Sequence, residues 1–386
     1  MIYADYNGSA PICPEVRDYL IKRLETGPFA NPNSIHHMGT KTLMGMENAR
    51  AVCAKIVGAK PKQIIFNSGA SEGISTVFYS VLKRAKKAGK THIIISGQEH
   101  SVVINCAKRA QEEQDFQVLS LKANHDGIVD VEQLKIWLKE HGDQLALVSI
   151  MAANNETGVI QPYKEISDLC QQAQVPYVCD TTQYIGKTEF DFNKSGIDYA
   201  FMSGHKIGAL TGAGFLLAKD TTTLEPLIIG GGQERNLRGG TQNYIGNETL
   251  AVALDYFQRN QDKLKKLFEK RKEFENKVKE KFPEVVILGE NAPRLASSTY
   301  IALPGVHGQA VQIELESKDI FVTTSSACSD NEPVTSKVLQ SMGVDDHIGR
   351  GVVRISLGLC SGPELYDEIA DALIATYSKL QQIKSF

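Results

Sequence analysis

Three short runs hold residue types that together could do one kind of chemistry. Ser203-Gly204-His205-Lys206 puts a lysine just after the β-rich run Tyr199-Ala200-Phe201-Met202. Asp180-Thr181-Thr182-Gln183 puts an acid just after Val175-Pro176-Tyr177-Val178-Cys179. An acid at the end of a buried strand is costly unless something positive meets it. Asn67-Ser68-Gly69-Ala70-Ser71-Glu72 is a small-residue turn that follows Ile64-Ile65-Phe66 and enters a helix. Backbone N–H groups and the helix dipole make such a turn a phosphate cradle, although alone it reads more readily as a plain helix start. A lysine for covalent attachment, an acid facing a pyridinium nitrogen and a phosphate site are what a pyridoxal phosphate (PLP) enzyme needs. The acid keeps that nitrogen protonated, so the ring can accept electrons. The conjunction, more than any one run, points to that chemistry.

Other runs extend the candidate site. Gln98-Glu99-His100 follows the strand-like His92-Ile93-Ile94-Ile95-Ser96, and its histidine is read either as a structural loop residue or as a working one. Asn154-Asn155-Glu156-Thr157-Gly158 is a polar turn after the apolar run Leu145 to Ile150. Gly230-Gly231-Gly232-Gln233-Glu234-Arg235 and Arg238-Gly239-Gly240-Thr241 suit either anion binding or a flexible surface loop, and lack a Walker ending. Cys328 lies in a small polar stretch, Thr323 to Pro333, where an accessible thiol is favoured over core filler. Arg354 interrupts an apolar strand, Val352 to Ser356, and its planar fork suits a carboxylate. Metal readings fare poorly: His36 and His37 are adjacent, no H-E-x-x-H occurs and the cysteines lack ligand spacing.

The elements that must position these residues alternate. Short β-rich runs and helical segments succeed one another from about Gln63 to Ala218, which predicts an α/β fold with a mostly parallel sheet sandwiched by helices. Ligands of such sheets bind beyond the carboxyl ends of the strands, where the runs above fall. A single long helical region is predicted from about Ile245 to Lys281, its charge run read as a solvated face. Short strands mixed with helices then predict a smaller α+β domain. The expected division is a large domain over 14–255 and a small one formed by 1–13 plus 256–386.

Composition narrows the class. The 42 Lys+Arg against 45 Asp+Glu give a net charge of −3, which argues against sequence-independent nucleic-acid binding. No stretch approaches the roughly 18 apolar residues of a membrane span, and the N-terminus lacks a secretory pattern. Seven scattered cysteines with no C-x-x-C pair read as free thiols of a reducing compartment, hence a cytoplasmic enzyme.

With these residues in view the chain resembles a cysteine desulfurase of the class V aminotransferase superfamily, the iron–sulfur-cluster and nitrogen-fixation type. The likeness runs from Asp5-Tyr6 through Asn31-Pro32-Asn33-Ser34-Ile35-His36, Ser68 to Glu72, Glu99-His100, Asn154 to Gly158 and Asp180 to Gln183. It continues through Ser203-Gly204-His205-Lys206, the two glycine-rich runs, Ser326-Ala327-Cys328-Ser329 and Arg354-Ile355-Ser356-Leu357-Gly358. The resemblance implies a homodimeric PLP enzyme of fold type I. Lys206 would bind the cofactor covalently, Asp180 would pair with the pyridinium nitrogen, and Gln183 would hydrogen-bond the ring oxygen. His100 would stack on the ring and assist proton transfer. Ala70, Ser71, Ser203 and His205 would hold the phosphate, with Thr241 of the partner subunit. Asn155 and Arg354 would bind the carboxylate of the substrate L-cysteine. Cys328 would take the sulfur as a persulfide, leaving alanine, and pass it to an acceptor such as an iron–sulfur scaffold protein.

The chain departs from the family pattern in three places. Gly8-Ser9-Ala10-Pro11 replaces an Ala-Thr-Thr turn, Ser71 replaces a common threonine, and Ala209-Leu210-Thr211-Gly212 stands where Gly-Pro is usual. The last change predicts a looser loop beside the cofactor. A selenocysteine lyase, a class V aminotransferase in which Cys328 is incidental, and a non-catalytic scaffold of the same fold are the alternative readings.

Overall fold

The computed structural model describes residues 1–324 and 335–382. Its main sheet has seven strands: β2 (Ile64–Asn67), β3 (His92–Ser96), β4 (Gln117–Leu121), β5 (Leu145–Ser149), β6 (Tyr177–Cys179), β7 (Tyr199–Ser203) and β8 (Gly214–Ala218). A two-residue strand, β1 (Ile2–Tyr3), precedes them. The spatial order is β2-β8-β7-β6-β5-β3-β4. All pairings are parallel except those of β8, which runs antiparallel to both β2 and β7. Strands β2, β3, β5, β6, β7 and β8 are buried at every position, as their near-continuous apolar runs require of strands covered on both faces. Edge strand β4 mixes polar and apolar residues and is exposed at Gln117 and Ser120.

Helices α1 (Pro14–Thr26), α2 (His37–Ile56), α3 (Ala70–Lys87), α4 (Ser101–Gln114), α5 (Val131–His141) and α6 (Tyr163–Gln172) pack around the sheet, with the short turns α7 (Phe192–Ser195) and α8 (Gln233–Asn236). Helix α3 shows how sequence sets the packing: Ile74, Val77, Phe78, Val81 and Leu82 recur at helical spacing and are buried against the sheet. Gly214, at the start of β8, is pressed against the turn before α3. A Cβ there would come within 2.3 Å of the Met202 carbonyl and 2.6 Å of the Gly69 Cα. Only glycine lets β8 and the turn approach so closely.

The expected long helix divides into α9 (Tyr244–Arg259) and α10 (Asp262–Lys281). The reason is local: Asn260 Nδ2 donates to the Tyr256 carbonyl at 2.8 Å, taking over a helix acceptor and ending α9. On α10 the lysines face solvent, but Arg271 and Glu275 turn inward. Glu275 is shared there between Arg271 and Arg294 at 2.8 and 2.9 Å.

The remaining strands build a second layer: β9 (Val286–Ile287), β10 (Ser298–Ala302) and β12 (Val352–Ser356) form an antiparallel sheet, while β1 pairs in parallel with β11 (Ile320–Phe321). Leu267, Phe274 and Val278 of α10 share an apolar cluster with Ile369, Leu373 and Tyr377 of the helix Leu365–Leu380. Ile2 and Ala4 belong to this cluster and Cys13 to that of the main sheet, so residues 5–12 cross from one to the other. This strap is pinned on the way. The Ala10 N–H donates to the His205 carbonyl, and the Cys13 N–H to the Gly208 carbonyl.

Candidate functional site

Because β2 and β7 both run antiparallel to β8, they share a direction, and the carboxyl ends of β2, β3, β5, β6 and β7 open on one edge. A cavity of about 280 Å³ lies there. Its walls hold Ala70, Ser71, His100, Asn155, Asp180 and Gln183, together with Ser203, His205, Lys206 and Arg354. The cavity thus gathers every sequence-predicted residue among the described ones except Thr241. Thr241 is exposed and absent from the cavity of its own chain. Cys328 lies outside the described residues. The chain leading towards it runs beside the site: the Arg354 N–H donates to the Thr323 carbonyl at 2.6 Å, and Tyr300 Oη donates to the Thr324 carbonyl.

Each side chain has a structural reason for its pose. His100 is a helix cap that also lines the cavity. Its Nδ1 accepts the Val102 N–H at 3.2 Å and caps α4, which places the proton of the neutral ring on Nε2. Burial lowers its proton affinity, the neighbouring Asp180 opposes this and Lys206 adds to it. Asp180 accepts the Thr182 N–H at 2.9 Å. Lys206 Nζ donates to the main-chain carbonyls of Asn7 and Gly8 at 2.9 and 2.6 Å. His205 is held to about 4 by burial, with Lys206 and Lys187 contributing, so its ring is neutral near pH 7. Its Nδ1 lies 3.1 Å from Ser9 Oγ.

The residues fit the cofactor the sequence points to. The mouth of α3, with two hydroxyls and a neutral imidazole around it, is a donor-rich cradle suited to a phosphate. Gly69, not Ser71, is the N-cap of α3, which leaves the Ser71 side chain on the cavity wall. The Thr182 hydroxyl and Arg354 Nε are buried and have no hydrogen-bond partner among the described residues. Buried polar atoms of this kind are normally paired, so a polar ligand is the expected complement.

Arg354 is less open than expected. Two nitrogens of its guanidinium donate within the protein, to Asp5 Oδ1 at 2.6 Å and to the Asn155 carbonyl at 3.0 Å. In the glycine-rich runs the charged side chains are taken up within the protein. Arg238 is paired with Glu72 at 2.9 Å, and Arg235 donates to the Ile64 carbonyl. Glu234 accepts from Arg50 twice, at 2.7 and 2.8 Å, and from the Phe66 N–H, pinning the loop to β2. The loop after Lys206 is likewise held without its proline. The Ala209 N–H donates to the Gly204 carbonyl and the Leu210 N–H to Thr249 Oγ1.

The family model for class-V aminotransferases matches residues 2–364. The chain belongs to the class-V aminotransferase family. Among curated relatives of this family, the cysteine desulfurase IscS of Rickettsia typhi is 33% identical over 389 residues, covering 99% of this chain and 92% of that protein. A solved NifS-like protein superposes with a TM-score of 0.89 at 30% identity, covering 98% of this chain and 100% of that one. SspA, solved in complex with cysteine, superposes with a TM-score of 0.78 at 28% identity, over 92% of this chain and 99% of that one. Within this class-V fold the sequence reading missed Asn7, which lines the cavity, and Asp5 and Lys187, which bond to Arg354 and Gln183 of its wall. Asn7-Gly8 looks like ordinary turn chemistry, and Lys187 stands four residues after Gln183 in no recognisable pattern. Among the described residues, no group of three His, Cys, Asp or Glu side chains could hold a metal, and no helix is long and apolar enough to cross a membrane.

Proposed function

We propose that the chain is a PLP-dependent cysteine desulfurase. The observation that carries this reading is the convergence of Lys206, Asp180, His100 and Gln183 with the α3 mouth and Arg354 around one cavity. When bound, PLP draws electrons away from the α-carbon of the substrate. Lys206 would anchor it covalently and would move the α-proton of the substrate. Asp180 holds the proton of the pyridine nitrogen. His100 covers the ring and offers Nε2 for proton transfer. Ala70, Ser71, Ser203 and His205 bind the phosphate by hydrogen bonds, and Arg354 with Asn155 orients the carboxylate of L-cysteine. Cys328, as its thiolate, takes the sulfur and becomes a persulfide, while alanine leaves. The persulfide then passes to an acceptor protein, an iron–sulfur scaffold being the class favoured by the resemblance.

The same reading includes a homodimer. Leu24, Phe29, Ile35, Met44, Ile228 and Ile229 are exposed large apolar side chains of the kind a subunit interface would cover. Segment 228–230 lies against 239–240, which leads directly to Thr241, so this edge would bring Thr241 of the partner subunit to the phosphate. The domain division 14–255 and 1–13 plus 256–386 and a cytoplasmic location complete the proposal. The six described cysteines, all free, support a reducing compartment.

The test incubates PLP-loaded protein with L-cysteine and a thiol reductant and measures alanine and sulfide together. Equal yields, lost in Cys328→Ala, support the reading. Full activity of the mutant, or pyruvate instead of alanine, overturns the persulfide step. Parallel assays with L-selenocysteine separate the desulfurase from a selenocysteine lyase.

A further inference from the structure

Lys187 is a half-buried amine beside the site with an unusual set of neighbours. Its Nζ donates to the side-chain oxygens of two amides, Asn7 Oδ1 at 2.9 Å and Gln183 Oε1. The carboxylate that acts on it, Asp5, is itself paired with Arg354 at 2.6 Å. Burial holds the amine well below the usual lysine range; Lys206 and Arg354 push it further down, and Asp5 pushes against them. A lysine placed near other cations with only amide oxygens as partners is a poor stabiliser. Its geometry is informative instead. An amide side chain is nearly symmetric in shape, and its hydrogen-bond partners decide which end carries the oxygen.

A lysine amine in contact with both amides draws their oxygens towards itself. The nitrogen of Gln183 must then point away, and it does: Nε2 donates to the Asn7 carbonyl at 2.9 Å, the same oxygen that accepts from Lys206 Nζ. The nitrogen of Asn7 likewise points away, donating to Ser298 Oγ at 2.7 Å and the Asn155 carbonyl at 3.3 Å. The Asn7 N–H donates to Ser356 Oγ.

We infer that Lys187 is a positioning residue that fixes the amide polarity of Gln183, so that Gln183 meets the cofactor ring oxygen as a hydrogen-bond donor. This rests on the PLP reading above. With Lys187 gone, the Asn7 carbonyl alone holds the amide nitrogen, and Gln183 turns its oxygen towards the ring more readily, which removes the donor and sets two acceptors against each other. A hydrogen bond donated to the ring oxygen stabilises its anion and lowers the pH at which the neighbouring Lys206 nitrogen loses its proton. The other charged or titratable groups around that nitrogen are His100, His205, Asp180 and the Arg354–Asp5 pair.

The experiment follows the visible absorbance of the PLP-loaded full-length chain against pH. Lys187→Met is expected to move the midpoint upward by about one pH unit. Lys187→Arg, which keeps the donors, is expected to restore most of the shift. The double variant Gln183→Ala/Lys187→Met is expected to match Gln183→Ala alone, because Lys187 acts through Gln183. A midpoint unmoved by Lys187→Met, or a double variant in which the two shifts add, overturns the inference. If Lys187→Met does not fold, Lys187→Gln enters the same comparison with the same outcomes. A wild-type chain that gains no visible band from PLP overturns the cofactor reading and this inference with it.

Discussion

Ser203 Oγ accepts the backbone N–H of Ala70 at 2.8 Å, so the last residue of β7 holds the first turn of α3 in place. Strand β8 lies between β7 and β2, and the bond therefore reaches past a whole strand to join the lysine end of the site to the α3 mouth, the proposed phosphate end. Ser203→Ala leaves the Ala70 N–H without this acceptor, at a cost of about 1–3 kcal/mol. The expected outcome is a lower melting temperature of the PLP-free protein and faster loss of PLP from the loaded form. An unchanged melting temperature would show that the bond contributes nothing to the apo fold.

Arg354 contributes a planar fork that Asp5 steadies at one nitrogen. Arg354→Lys keeps the charge and gives up the fork. KM for L-cysteine is expected to rise about 10- to 100-fold, the loss of one charge-assisted hydrogen bond, while PLP content stays that of the wild type. Steady-state kinetics with cofactor titration check both. A drop in kcat at unchanged KM would place Arg354 in the chemical step and not in carboxylate binding.

Glu99 predicts a pH dependence of stability. Its Oε1 accepts from Ser96 Oγ and the Met151 N–H, both at 2.9 Å, while Oε2 has no partner among the described residues. Burial pushes this carboxyl up from an ordinary value of 4.5 to about 8, with Asp180 adding to the shift. Between those values the folded chain binds a proton at Glu99 that the unfolded chain does not. The contribution of Glu99 is therefore fully present below about pH 4.5 and is lost as pH rises towards about 8. Urea unfolding of the PLP-free protein from pH 5 to 8 should show a steeper fall for wild type than for Glu99→Gln. Parallel curves would mean that Glu99 is ionised in the fold.

The exposed apolar edge predicts the assembly state. Ile35 is fully exposed and Ile229 largely so. A charge at either position, Ile35→Asp or Ile229→Asp, is expected to shift the chain to a monomer in sedimentation velocity. It should also weaken PLP retention, because Thr241 of the partner subunit is then lost. A monomeric variant with wild-type PLP affinity would remove Thr241 from the phosphate site.

Much of the site was legible because a parallel sheet makes strand ends into addresses. Once Ile64–Phe66, His92–Ser96, Val175–Cys179 and Tyr199–Met202 read as strands, Ser71, His100, Asp180 and Lys206 fell on one edge without further information. The split between α9 and α10 was not legible, since Asn260 ends a helix there by a side-chain bond to Tyr256 and no glycine or proline marks the break. The partners of the charged residues in the glycine-rich runs were not legible for a related reason. Their arginines and Glu234 find partners in Glu72, Ile64 and Arg50, which lie far away in sequence.

What the sequence by itself determined is the set of candidate residues: a lysine, an acid and a small-residue turn entering a helix, each following a strand by a local rule of hydrophobic pattern and turn composition. Only the tertiary structure decided the poses. Asn7 is brought beside Gln183, Lys187 and Lys206 across more than 170 residues, and Asp5 meets Arg354 across 349. Hydrogen bonds are short and directional, so which donor faces which acceptor depends on where the N-terminal strap crosses the sheet. No periodicity along the chain encodes that crossing.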